Sequence, residues 1–234
     1  MRSRTWKFWL VSSALVLAVG VVGGPFVYIH FIAAKAPAPL TLTKTTASPT
    51  ASGSASASSA SGVGGTWSVT TGSQVGYRVN EILFGQSNVA AGRTSSVTGS
   101  LTITGTTISK GSFSVDMTSV SSDEQRRDNQ FNGRIMDTSS YPTATFRLSS
   151  PIVLSSIPAV GVQSSTQATG VLTMHGTSKS VTFTVKGQRT TTGIEVTGSI
   201  PIVFADWNIP NPTFGPVSTD DHGVLEFLLV FTRA

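Results

Sequence analysis

The sequence predicts an all-β protein: an antiparallel β-barrel of about eight strands with one short helical segment, preceded by one transmembrane helix. Three observations carry that prediction. From Thr66 onward, apolar residues recur at every second position in runs bounded by glycines. One segment, Ser121–Phe146, abandons that period for charged residues and a helical spacing. Near the N-terminus, a charge-free apolar stretch is long enough to cross a bilayer.

That stretch, Phe8–Ala34, contains no Asp, Glu, Lys or Arg. At 1.5 Å per residue it covers a hydrocarbon core of about 30 Å. Trp6 and Trp9 at one end, and Tyr28 and His30 toward the other, are residue types that favour the membrane interface. Gly23, Gly24 and Pro25 mark a kink that a membrane span tolerates. A cleaved secretory signal is the competing reading. Its apolar core would be only about 7–15 residues, and its small-residue sites Ala34-Lys35-Ala36 and Ala36-Pro37-Ala38 are each followed by proline. Residues 1–35 are therefore read as a basic tip and an uncleaved signal-anchor. Arg2, Arg4 and Lys7 precede the span, which places the N-terminus in the cytoplasm and the C-terminal domain outside, at the cell membrane.

Residues 36–65, "APAPLTLTKTTASPTASGSASASSASGVGG", follow. This segment has too little apolar surface to offset its ordering entropy, so it is expected to be a flexible linker. The remaining residues, 66–234, form the β-domain. "SFSVDMTSV" places Phe113, Val115 and Met117 on one face, and "SVTFTVKG" does the same with Val181, Phe183 and Val185. "SLTITG" and "GVLTMHG" supply Leu101, Ile103, Leu172 and Met174. "GIEVTGSIPIVF" aligns Ile194, Val196, Ile200, Ile202 and Phe204, with Gly198 in register at a bend or a close approach. The last run puts Leu225, Phe227, Leu229 and Phe231 on one face. Leu228 and Val230 on the other suggest a strand covered on both sides. Such strands make a sandwich or a barrel, and a barrel removes the exposed edges of flat Thr/Ser/Val strands.

In the exceptional segment, Ser122 or Asp123 is the expected helix cap, and Phe131 and Ile135 lie four apart on one face. Gly133 shortens the helix and Pro142 returns the chain to a strand containing Phe146. Arg126, Arg127 and Asp128 are expected to fasten this segment rather than to react.

Charge and inventory weigh against several functions. Of 16 Lys and Arg residues, five precede Gly65 (Arg2, Arg4, Lys7, Lys35 and Lys44), while no acid precedes Glu81. The β-domain thus sets eleven basic residues against 11 acidic ones. A neutral domain lacks the basic face that nucleic acid requires. With no cysteine there is no disulfide, thiolate metal site or cysteine nucleophile. His175 precedes a tight glycine turn, and His222 beside Asp220 and Asp221 is a weak metal candidate more simply read as a solvated loop. No G-x-S-x-G elbow supports a hydrolase. No catalytic residue, metal or cofactor is assigned.

Two stretches resemble the YceI-like family of bacterial polyisoprenoid-binding domains. One is the acid-rich turn, "RRD", helical piece and "YPTATF"; the other is "GVLTMHGTSKSVTFTV". "TWSVTTGSQVGYRV" and "ADWNIPNPTFG" support them, so the resemblance covers about Thr66–Ala234. It implies a lipocalin-like barrel whose apolar interior holds a polyisoprenoid, an isoprenoid quinone or a similar long-chain amphiphile. The membrane anchor is an addition to the arrangement usual in that family. The residues expected to line such a cavity are Phe113, Val115, Met117, Phe131, Ile135, Phe146, Leu172, Met174, Phe183 and Val185. Alternation alone does not separate them from a packed core. The alternative reading is therefore a structural or protein-recognition β-module of the cell envelope with a filled interior.

Overall fold

The computed structural model describes residues 36–43 and 62–234, apart from Phe84 and Pro216. Phe8–Ala34, the expected membrane span, lies outside them. Among the described residues no helix is long and apolar enough to cross a membrane. The strands are β1 (Gly65–Val69), β2 (Gln74–Leu83), β3 (Gln86–Thr94), β4 (Val97–Thr104), β5 (Thr107–Asp116), β6 (Ser121–Ser122), β7 (Thr143–Leu148), β8 (Ile152–Val153), β9 (Gln163–Met174), β10 (Thr177–Arg189), β11 (Ile194–Val203), β12 (Val217–Thr219) and β13 (His222–Arg233). Among the described residues, one α-helix, α1 (Gln125–Gln130), runs directly into a π-turn over Phe131–Ile135.

These strands close into an eight-stranded antiparallel barrel. Neighbours run β1-β4-β5-β7-β9-β10-β11-β13, and β13 pairs back onto β1 through Trp67↔Arg233 and Val69↔Phe231. The hairpin β2-β3 continues β1 and β4 upward. β2 takes over beside β13 where β1 leaves it (Gln74↔Leu228), and β3 pairs β2 as β4 pairs β1. Ser73 holds the break between β1 and β2. Its buried hydroxyl donates to the Thr70 carbonyl at 2.8 Å and accepts the Val230 N–H at 2.9 Å. Closure leaves no open edge in the main ring, as the polar, flat strands require.

Alternation then sorts the side chains. Ile194, Val196, Ile200 and Ile202 of β11 and Leu225, Phe227, Leu229 and Phe231 of β13 face inward. Four inward aromatic rings lie against glycines of the adjoining strand. A Cβ at Gly92 would stand 2.5 Å from the Tyr77 ring, at Gly99 2.6 Å from Phe113, and at Gly198 2.7 Å from Phe227, while at Gly170 it would collide with Phe146. Gly198 is thus the close approach that its position in β11 suggests.

The two ends of the barrel differ. The floor is the β4–β5 hairpin with Gly62–Gly65, where Val63 and Trp67 are buried and Trp67 Nε1 donates to the Val63 carbonyl at 2.9 Å. The cap end carries α1, the π-turn and the connection Phe204–Asp221 between β11 and β13.

Two sequence expectations change. The helix cap is Glu124, not Ser122 or Asp123; its carboxylate accepts the Arg126 N–H at 3.2 Å. Ser122 instead closes a loop, donating its N–H and Oγ to Asp128 at 2.8 and 2.6 Å. The second concerns the expected linker, whose first eight residues, Ala36–Thr43, are seated on the outside of the barrel. Arg78 and Arg93 donate to the Pro37 and Ala38 carbonyls, the former at 2.5 Å. Leu40 N–H donates to Glu226 at 3.3 Å and its carbonyl accepts from Thr197 Oγ1 at 3.1 Å. Thr43 gives its N–H (3.1 Å) and its hydroxyl to Glu195 and accepts from Gln188 at 2.9 Å. The strap is held by backbone hydrogen bonds and the buried Leu42, so its poor composition does not prevent docking.

The glycine contacts generate a stability prediction. Gly170→Ala is expected to destabilise the barrel by about 1–3 kcal/mol in denaturant unfolding, because Phe146 and the Arg147 carbonyl occupy the new methyl's place. Gly133→Ala meets nothing within 4 Å and is expected to be neutral or to stabilise by about 0.5–1 kcal/mol.

Candidate functional site

The inward faces do not meet in the middle. They enclose a cavity of about 910 Å³ lined predominantly by apolar side chains, near the upper end of the roughly 300–1,000 Å³ of ligand pockets. All ten residues singled out in the sequence line it. β5 and the turn after it contribute Phe113, Val115 and Met117, and β7 contributes Phe146. β9 contributes Leu172 and Met174, and β10 contributes Phe183 and Val185. Phe131 and Ile135 reach in from the π-turn.

Why the space stays open follows from how the rings are placed. Phe183 stands edge-on to Phe146 and to Phe227, with centroids 5.5 and 5.9 Å apart, and Phe113 meets Phe231 likewise at 5.9 Å. Edge-to-face pairs favour these separations. With Phe113, Phe146 and Phe227 each lying on a glycine, the aromatic groups coat the wall instead of crossing the lumen.

The cavity has a closed and an open end. At the floor every lining residue is buried or half-buried, Val63 and Ile152 among the former. The exposed lining residues, Arg126 and Phe214, both sit at the cap end. The mouth therefore opens between α1 and the Phe204–Asp221 connection. Arg134, from the π-turn that follows α1, reaches that connection, donating to the Asn211 and Pro212 carbonyls at 3.2 and 3.0 Å and standing 5.8 Å over the Phe214 ring.

Just inside the mouth is the one charged group of the inner wall of β2. Glu81 is buried and accepts from Asn88 Nδ2 at 2.7 Å and from Arg127 Nη2 at 3.2 Å; Arg127 also pairs with Asp123. Burial opposes the charge of Arg127, but Glu81 and Asp123 outweigh it and hold the guanidinium protonated beyond its ordinary range. Deeper along β2, beyond Val79, Tyr77 stacks on Phe131 with centroids 5.1 Å apart. Burial pushes its phenol well above the usual range, against the pull of Arg127, so it stays neutral. The ion pair and the stack together clamp α1 and the π-turn to the barrel.

Sequence reasoning gave Arg127 a fastening role but missed its partner, which lies 46 residues away on a strand. It also missed Tyr77 and Phe214. The only signal for Tyr77 was the aromatic in "VGYRV", and the loop holding Phe214 has no periodicity to read. Among the described residues, the two histidines do not line the cavity. His175 sits in the β9–β10 turn at φ 47°, with Nδ1 3.2 Å from the Trp207 carbonyl oxygen and its ring against Tyr141. His222 is exposed beside Asp221, at 2.8 Å. Among the described residues no group of three or more His, Asp or Glu side chains is placed to hold a metal ion.

The fold has solved counterparts. A polyisoprenoid-binding domain from Saccharophagus degradans superposes with a TM-score of 0.58 at 17% identity, covering 72% of this chain and 98% of that one. BcnA of Burkholderia cenocepacia superposes with a TM-score of 0.56 at 21% identity, covering 69% and 98%. At these identities the likeness establishes the barrel fold. A comparison with curated protein sequences returns no match. The sequence pattern of the YceI-like domain matches residues 67–231, from the first strand of the barrel almost to the end of the last, and the chain belongs to that family.

Proposed function

We propose that this protein is a membrane-tethered, extracytoplasmic lipid-binding domain that holds a polyisoprenoid, an isoprenoid quinone or a similar long-chain amphiphile. The observation that carries the reading is the cavity: about 910 Å³, apolar along its walls, closed at the floor and open at the cap. A slender hydrocarbon chain suits such a space, and each methylene it buries contributes about 0.8 kcal/mol. Binding of this kind needs no catalytic group, and the reading assigns none. The Saccharophagus degradans domain, described as polyisoprenoid-binding, supports the choice of ligand class. The tether and the outward placement rest on the apolar run Phe8–Ala34 and the basic residues before it. A module with a filled core would present no such volume.

Uptake by the cavity is tested by filling it. Phe183→Trp and Met174→Trp are expected to lower uptake of added polyprenol or quinone by at least tenfold while circular dichroism and unfolding temperature stay near those of the parent. Uptake unchanged in both variants would contradict binding inside the barrel. The fastening of the cap is tested separately. Arg127→Ala leaves Glu81 buried without its cation and is expected to cost about 3 kcal/mol in denaturant unfolding. The double substitution Glu81→Gln, Arg127→Met is expected to recover most of that loss.

A further inference from the structure

The strap Ala36–Thr43 is seated on a surface built to receive it. Glu195, Glu226, Thr197 and Gln188 project outward from β11, β13 and β10, yet each is buried, with exposures of 8%, 4%, 7% and 3%. All four hydrogen-bond to the strap. Polar side chains on the outer wall of a barrel are ordinarily solvated, so burial with satisfied partners marks a specific docking groove.

The direction of the strap matters. Thr43 lies at Glu195, which pairs with Val230; Leu40 lies at Thr197, which pairs with Leu228; Pro37 lies at Arg78, which pairs with Val224. Followed backward, the strap climbs along β13 toward the cap end. Ile82, at the rim, is four residues beyond Arg78 along β2, about 13 Å at the rise of a strand. Ala34, the last residue of the apolar run, is three residues before Pro37, hence within about 11 Å of it. The end of the apolar run is thus tied by only three residues to a strap whose Pro37 is seated about 13 Å from the rim.

We propose that the docked strap fixes the barrel with its mouth against the phospholipid bilayer, so that a lipid chain passes between membrane and cavity without crossing water. This rests on Phe8–Ala34 being a membrane anchor, and it adds to that reading an orientation and a contact surface. The surface is the cap rim, where Phe214 is 61% exposed, Ile82 50% and Val203 45%. Apolar side chains are exposed at the floor as well, Val153 and Val162 among them, so exposure alone does not choose an end. The strap chooses. The rim mixes Arg126, Arg134 and Lys179 with Glu124, Asp206, Asp220 and Asp221, so it is the covalent tether, and not attraction to anionic lipid, that seats it.

The absence of cysteine makes single-site labelling unambiguous. The full chain carrying Ser218→Cys at the rim, or Ser155→Cys at the floor, is labelled with a fluorophore and reconstituted into vesicles of phosphatidylcholine containing a headgroup-proximal spin-labelled lipid. The Ser218 label is expected to be quenched at least threefold more than the Ser155 label. Inserting twenty Gly/Ser residues between Lys35 and Ala36 leaves the strap and its groove intact and is expected to abolish the difference. Equal quenching at the two sites, or a difference that survives the insertion, overturns the orientation. Failure of the full chain to float with the vesicles overturns the anchor reading itself, and the orientation with it.

Discussion

Aromatic rings lying against glycines decide what kind of barrel this is. An eight-stranded barrel is narrow, and its interior is ordinarily filled by the side chains its strands turn inward. Here Phe113, Phe146 and Phe227 each lie over a glycine of the neighbouring strand, at Gly99, Gly170 and Gly198. A side chain at any of those positions would push its ring off the wall and into the lumen. Tyr77 does the same on Gly92 at the cap end, which leaves its face free to stack on Phe131. The rings thus supply a large apolar surface without occupying the centre, and the edge-to-face contacts of Phe183 tie the coating together.

The cap and the strap build on that hollow cylinder from different sides. At the cap, Glu81 reaches inward and is matched by Asn88 and Arg127, so the charged segment is anchored by a pair held largely away from water. On the outside, Glu226 is matched by Arg93 at 2.8 Å and by the strap, while Glu195 is matched by Thr43 and Gln188. Removing one partner of such a group costs more than the pair contributes, because the other is left desolvated. Both attachments are therefore specific in position even where their net contribution to stability is small.

Much of this was legible in the sequence because a β-strand with one apolar face writes that face at every second residue. β5, β10, β11 and β13 declared themselves in that way, and the ten residues proposed for the interior line it. The charged segment was legible as a fastening because Phe131 and Ile135 share a helical face. β3 was not legible. Its inward residues include Ala90 and Gly92, the latter kept small by the Tyr77 ring, so no apolar alternation marks it. The start of β9 was hidden for a related reason: Gln163–Gln167 is polar on both faces and resembles the loop before it. The strap was least legible. Its partners Glu195, Thr197 and Glu226 alternate with core residues as a solvated face would, and only Leu228 and Val230 on the outer side of β13 hinted at a cover. Pairings such as Glu81 with Arg127 depend on closure, which sequence spacing does not carry.

The claim at the centre is that the cavity is occupied by a long-chain lipid. The direct measurement is organic extraction of the full chain purified gently from membranes, followed by mass spectrometry of what is released. Its companion is the same extraction of the Met174→Trp variant. A defined isoprenoid-type or other long-chain amphiphile, recovered near one per barrel and depleted in the variant, is the result this account predicts. A barrel that repeatedly yields no lipid, or yields the same mixed membrane lipids with and without the variant, would contradict it.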